Sequence, residues 1–374
     1  MLSLYIDMET NFTENKSMML HEDFEEYIRQ GEPARTERSK AWQMAIGLQR
    51  VDGLDTSPYL NETAKLHIEG EITINEAKKR IDSYYQSRTV RKEDAEGRTE
   101  EADKVSTRIA ELLGEQTFTL APTELVRIHR HLFMGIYKHA GQIRDYNITK
   151  KEWVLEGETV LYASASSIGD TLEYDIEQER KFSYENLSVD EAVDHISEFI
   201  SNVWQIHPFG EGNTRTIAVF LIKYLRQFGF NVNNRTFSLH SWFFRNALVR
   251  ANYNDLRKGI TATREPIRRF LKHLLLKEET DLRNRTLHVA WKEEKNIQSA
   301  KIEVSKCQIG SLDCTLEEMA VLQVIKEKPN ITQKELAVRT GKSERTIKRL
   351  TVALTERGKM VRRNGRRNGY WEIL

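Results

Sequence analysis

Cysteine is almost absent from this chain: Cys307 and Cys314 are the only two in 374 residues. Their spacing offers no CxxC pair and no neighbouring histidine, which argues against a zinc site built on them. So few thiols fit a reducing cytosol, and a cytoplasmic location is expected. Long apolar runs are missing too. No stretch reaches the roughly 20 residues that cross a bilayer, so no membrane partner is expected. The opening residues bring in Asp7 early and have no basic stretch before it, so they do not read as a signal peptide. Nor is one sign of charge in excess. With 57 Lys and Arg against 56 Asp and Glu the net charge is +1, and overall electrostatics single out no partner. What remains is 39% hydrophobic and 30% charged, enough for a core under a soluble surface and, at this length, for two or three domains.

Most of the chain reads as helix. Residues 1–20 are polar and show no period. Over 35–85, Trp42, Ile46 and Val51 recur at about helical spacing. Gly53 followed by Asp55-Thr56-Ser57-Pro58 marks a stop and a turn. Thr73 with Glu76 three residues later makes a capping box. Residues 88–100 form a charge run, a solvated helix face or a linker. Helical periodicity resumes over 103–113, 118–138, 190–206, 216–228, 241–253, 266–279 and 283–298. The exception is 152–162, where Trp153, Val154 and Leu155, then Thr159 to Tyr162, are β-prone and flank Glu156-Gly157-Glu158. That pattern predicts a hairpin.

The densest chemistry lies in His207-Pro208-Phe209-Gly210-Glu211-Gly212-Asn213-Thr214-Arg215. A loop of small residues opening an apolar helix presents unpaired backbone N–H groups and the positive end of the helix dipole, which together bind phosphate. Gly210, Gly212, Asn213, Thr214 and Arg215 are the candidate ATP and phosphate ligands. Glu211 is an oxygen ligand suited to Mg²⁺, which usually bridges to substrate phosphates. Arg215 can fork onto phosphate oxygens. His207, just upstream, can take a proton from an attacking hydroxyl.

This segment resembles the Fic-domain signature, His-x-Phe-x-Asp/Glu-Gly-Asn-Gly-Arg-x-x-Arg. Six positions match; Thr214 replaces the usual Gly, and Ala218 stands at the second Arg. The resemblance implies a mainly α fold, a helical bundle with a β-hairpin flap. It also implies transfer of AMP from ATP onto a Ser, Thr or Tyr hydroxyl of a target protein. His207 would be the base, Glu211 the metal ligand, and Trp153, Val154 and Leu155 the flap that docks the target by strand addition. Relatives modify themselves, and some act on DNA topoisomerases. The relative called Doc also lacks the second Arg and transfers the γ-phosphate instead, so phosphate transfer is the second expectation. Asn246, Arg250 and Tyr253 are candidates for the base pocket.

Many Fic proteins are restrained by a helix bearing Ser/Thr-x-x-x-Glu-Gly/Asn. Ile68-Glu69-Gly70 is a poor match, since Lys65 stands where Ser or Thr belongs. Residues 48–54 match better within a stretch, 45–72, that resembles VbhA-type antitoxins. There Leu48 replaces Ser and Asp52 replaces Glu. The loss of a guanidinium at Ala218 and the shorter Asp52 suggest a rewired switch, with Arg215 as the alternative partner of Asp52.

From Ile331 on, twelve Lys and Arg face four Asp and Glu. Three helices followed by two short strands resemble a winged helix. That implies DNA contacts from Arg345, Lys348 and Arg349 on the third helix and from Arg362 and Arg363 at the wing, or else dimerisation. A regulator that senses nucleotide and binds DNA is the third expectation. The expected division is an N-terminal segment 1–34, an antitoxin-like inhibitory region 35–100, a Fic core 101–300 and a winged helix 312–374.

Overall fold

The computed structural model describes residues 33–87, 93–230, 232, 234–291, 314–364 and 369–374. The expectations for residues 1–32, 292–313 and the wing tip 365–368 lie outside these.

One helix organises the core. In α8 (Asn213–Gln227, counting all helices below in chain order) every residue from Asn213 to Leu225 is buried. A helix covered all round belongs at the centre of a bundle. Its neighbours are α4 (Glu93–Gly114), α5 (Pro122–Phe133) and α7 (Val189–Ile206). The helix α7 starts at a capping box made by Ser188 and Glu191 and ends at His207, in the left-handed region. Around these pack α6 (Ile168–Lys181), α9 (Asn234–Ala251) and α10 (Glu265–Leu276).

The N-terminal helices α1 (Pro33–Gly47), α2 (Pro58–Glu69) and α3 (Ile74–Gln86) lie on this bundle. Helix α1 runs against α4 and α9, and a 3-10 turn, Leu48–Asp52, carries the chain from α1 to the start of α8. Asp103 of α4 fixes the region from beneath. Its fully buried carboxylate accepts from Ser57 N at 2.8 Å, Ser57 Oγ at 2.5 Å and Tyr85 Oη at 2.7 Å. The predicted capping box at Thr73 is formed.

The last unit comprises α11 (Leu316–Glu327), α12 (Gln333–Thr340), α13 (Glu344–Glu356) and an antiparallel pair, β1 (Met360–Arg363) and β2 (Tyr370–Ile373). Met360 pairs with Ile373 and Arg363 with Tyr370. The unit is docked, not tethered. Lys342, in the turn before α13, donates to Gln227 O at the end of α8 at 2.8 Å and to Glu317 at 2.6 Å, while Lys277 meets Glu327 at 2.9 Å.

Two expectations need correction, at 152–162 and 283–298, and a third resolves to one of its alternatives. No strands form at 152–162: Trp153–Leu155 is a 3-10 turn, and Leu155 N and Gly157 N both donate to Glu152 O. Tertiary burial of Val154 and Leu155 overrides their β preference. The charge run at 88–100, expected as a helix face or a linker, is helix from Glu93 on, the first turns of α4, stabilised by pairs such as Lys104 with Glu100 at 2.7 Å. In the described part of 283–298 there is only a 3-10 turn, Asn284–Leu287.

Gly47 shows how tightly the N-terminal region sits. A Cβ there would lie 2.3 Å from Ser238 Cα on α9, a backbone atom that cannot swing aside. Gly47→Ala is therefore expected to cost about 1–3 kcal/mol by overpacking, read as a lower urea midpoint at unchanged slope.

Candidate functional site

His207 is placed by backbone geometry that few side chains tolerate, φ 51 and ψ 60. Arg144 secures it. This buried guanidinium donates from Nε to His207 O at 2.8 Å and from its Nη atoms to Tyr146 O and Ala163 O, each at 2.6 Å. The imidazole lies against Tyr162, with ring centroids 4.3 Å apart. Tyr162 in turn donates to buried Glu152 at 3.3 Å, which pairs with Arg245 of α9 at 2.7 Å. Nδ1 of His207 is 3.3 Å from Trp204 O, so a proton on Nδ1 is donated there and Nε2 is left to accept. Burial, then Lys150, hold its pKa well below 6.5; the Trp204 carbonyl opposes them, and Arg245 and Arg144 add smaller lowering effects. The ring is neutral near pH 7, the form in which it can accept a proton.

The loop that follows is braced from within. Gly212 caps α8 at φ 75, and a Cβ there would lie 2.4 Å from the Phe133 ring, so only glycine fits. His129, fully buried, accepts from Gly141 N on Nδ1 at 2.8 Å and donates from Nε2 to Glu211 O at 3.0 Å. Phe209 stacks on it at 3.8 Å and 9°. Asn213, expected on phosphate, has both amide atoms on Phe209: Nδ2 donates to its carbonyl at 2.7 Å and Oδ1 accepts from its N–H at 3.0 Å. Thr214, in place of the usual Gly, accepts from Trp204 Nε1 at 3.1 Å. Glu211 alone turns outward. Its side chain is 60% exposed and meets Lys150 Nζ at 3.0 Å.

Arg215 was expected to face phosphate and instead is caged at 1% exposure. Nε lies 2.7 Å from Asp52, a charge contact without the alignment of a hydrogen bond. Nη1 donates to Gln49 at 3.0 Å, and Nη2 to Glu101 at 2.5 Å and to Tyr137 Oη at 3.1 Å. The Phe133 ring closes one face at 4.8 Å. Burial works against the charge, but Asp52, Tyr137 and Glu101 outweigh it and raise the pKa. Of the two residues expected to inhibit, Asp52 thus reaches Arg215, while Leu48 is a fully buried apolar anchor of the same turn. Ala218, where the signature has its second Arg, is fully buried in α8.

A buried neutral histidine, an outward carboxylate and a helix-capping loop, all within nine residues, coincide with a comparison. Residues 119–225 match the Fic/DOC family model. The chain carries a Fic/DOC domain. Residues 318–359 match a winged helix-turn-helix DNA-binding model. No curated protein matches the chain. The Fic/DOC domain points to AMPylation or a related nucleotide transfer, and the helix-turn-helix to DNA binding. Among the described residues no helix is long and apolar enough to cross a membrane.

The remaining expected residues fall into two groups. In the segment expected to be a flap, Trp153 is 47% exposed, but Val154 and Leu155 are buried. Glu152 N donates to Glu158 O, and Val154 O accepts from Val289 N, so these two backbone groups are already bonded. Asn246 is buried and bonded to Asn284 at 2.9 Å. On the winged helix, Arg345, Lys348 and Arg349 are exposed along α13. Arg362 lies over Trp371 at 4.8 Å, and Arg363 pairs with Glu372 at 2.5 Å.

Gln49, Glu101, Tyr137, Arg144 and Lys150 were missed. The first four act through long-range contacts, and a polar residue in an amphipathic helix carries no signal of which partner it will meet. Arg215→Ala strands the Glu101 and Asp52 carboxylates and is expected to lower stability by about 3 kcal/mol. Arg215→Lys, which keeps charge but loses the fork, should fall between, as measured by urea unfolding.

Proposed function

We propose that the chain transfers AMP from ATP to a Ser, Thr or Tyr hydroxyl of a target protein, under restraint by the turn that carries Asp52. The observation that carries this reading is His207: neutral, oriented through Nδ1, and next to a loop that opens α8 with its backbone N–H groups. A pure binding protein has no need of a base so prepared.

In the reaction, the target hydroxyl approaches Nε2 of His207, which takes its proton as the oxygen attacks the α-phosphorus. The P–O bond to pyrophosphate breaks and pyrophosphate leaves. Backbone N–H groups at Gly212–Thr214 stabilise charge on the phosphate oxygens. Arg144 and Tyr162 keep the imidazole in place throughout. Mg²⁺ fits the donor set: Glu211 offers an outward carboxylate, and among the described residues no three His, Cys, Asp or Glu side chains form a cage. Such a site suits an ion held by one carboxylate plus phosphates, where it neutralises charge on the triphosphate.

In this reading, Arg215 must leave its cage to serve phosphate, and Asp52 and Gln49, both from the 3-10 turn, oppose that. The burial of Ala218, which leaves no guanidinium at the second Arg position, favours phosphate transfer as the competing outcome. The protein itself and a DNA topoisomerase are candidate targets, and Trp153 is the exposed flap residue placed to meet one. DNA is the candidate partner of α13, and a homodimer through the winged helix is its rival.

ATP labelled at either the α- or the γ-phosphate, supplied with Mg²⁺ to protein and lysate, tests the reading. Label from α only, reduced about 10²–10⁴-fold in His207→Ala, is the expected result; label from γ only would replace AMP transfer with phosphate transfer. Asp52→Ala should tighten nucleotide binding about tenfold, the worth of one charged contact. An unchanged affinity would remove the restraint. The neutral imidazole is the active form, and its pKa is depressed. The acid limb of kcat/KM should therefore lie below the ordinary histidine range, with activity held as pH falls through 6.5.

A further inference from the structure

Around the loop stand four cations, and three are committed. Arg144 is spent on backbone carbonyls, Arg245 on the buried Glu152, and Arg215 on Asp52, Gln49 and Glu101. Lys150 differs. Its Nζ lies 3.0 Å from Glu211 Oε2 with side-chain exposures of 25% and 60%, so water reaches the pair and exchange is easy. Its position is fixed by the backbone, where Lys150 N donates to Thr159 Oγ1 across the flap turn at 3.3 Å. It is also near enough to His207 to rank second, after burial, among the influences that disfavour protonation of that ring. One flexible ammonium thus sits between the base and the outward carboxylate, beside a loop whose side chains Asn213, Thr214 and Arg215 are already bonded.

We propose that Lys150 is a phosphate-binding cation that occupies Glu211 until a nucleoside triphosphate arrives with its divalent ion. The ion then takes the Glu211 carboxylate, and the ammonium moves to a phosphate oxygen of the nucleotide. The exchange conserves charge: Glu211 trades one cation for another, and the triphosphate gains a point charge. An ammonium on four rotatable bonds suits such a handover better than a planar fork. While Lys150 holds Glu211, free metal gains little there, so the site loads metal together with nucleotide. This rests on the nucleotide-transfer reading and adds to it a residue and an order of loading.

The test compares native chain, Lys150→Met and Lys150→Arg, each also with Asp52→Ala so that a caged Arg215 is not mistaken for absent affinity. Two titrations are run: Mn²⁺ alone, followed by electron paramagnetic resonance, and a non-hydrolysable ATP analogue with Mg²⁺, followed by calorimetry. In Lys150→Met, Mn²⁺ should bind roughly threefold to fivefold tighter, since an exposed ion pair no longer competes. The nucleotide should bind about tenfold weaker, for want of a charged hydrogen bond. Lys150→Arg should retain most of the nucleotide affinity. Unchanged nucleotide affinity in Lys150→Met would reduce Lys150 to a tether of the flap and overturn the proposal, as would unchanged Mn²⁺ affinity. Failure of every chain to bind nucleotide sinks the transfer reading and the phosphate role together, while the Mn²⁺ titration still decides whether Lys150 competes at Glu211.

Discussion

A guanidinium cannot be buried alone, and the core of this protein is arranged around that constraint. Arg215 at 1% exposure would be prohibitive without acceptors. It has them from three places: Asp52 and Gln49 from the turn after α1, Glu101 from α4, and Tyr137 from the segment after α5. Two of these acceptors carry negative charge, so the cage has an excess of one carboxylate. Tyr137 donates its own proton to Glu101 at 2.6 Å, which spreads that excess. Loss of the arginine therefore exposes like charges to each other, and the cage depends on its central cation more than the cation depends on any one wall.

The same arginine lies in the first turn of α8, so the cage also braces the loop that opens the helix. Helix α8 is held at both ends. Arg215 anchors its start, and Lys342 of the winged helix donates to Gln227 O at its end, where a cation complements the negative pole of the helix. At 15 residues α8 spans roughly 22 Å. Its buried sides leave little freedom to shift without moving α4, α5 and α7. The N-terminal helices, the loop and the C-terminal unit are therefore attached to one rigid element rather than strung along the chain.

How much of this was legible beforehand follows the range of each interaction. The capping box at Thr73, the α7–His207–α8 order and the three helices and two strands of the last unit depend on neighbours a few residues apart, and local sequence carries them. The pairing of Asp52 with Arg215 was reachable because a carboxylate in an expected inhibitory position lacked its expected partner at Ala218. Gln49 and Glu101 were not. Each lies over a hundred residues from Arg215, and nothing in a polar residue's identity says which guanidinium it will meet. The flap failed for the opposite reason. Its local β preference was real, but Val154 and Leu155 gain more from burial than from a ladder, and Glu152 is held by Arg245 from α9.

The departures from the family signature become intelligible against this packing. Thr214 supplies a hydroxyl that satisfies the buried Trp204 indole, a role glycine could not fill. Ala218 is enclosed in a helix with no exposed side there, so an arginine at that position would need either a new opening or its own set of acceptors. With no guanidinium at position 218, Asp52 meets the first arginine, and it does so from a tight 3-10 turn rather than from a long helix. A shorter side chain on a closer backbone reaches the same kind of partner. Departures that look separate in the sequence thus meet on one helix: Asp52 contacts Arg215, Thr214 satisfies the Trp204 indole, and Ala218 is enclosed one turn further on.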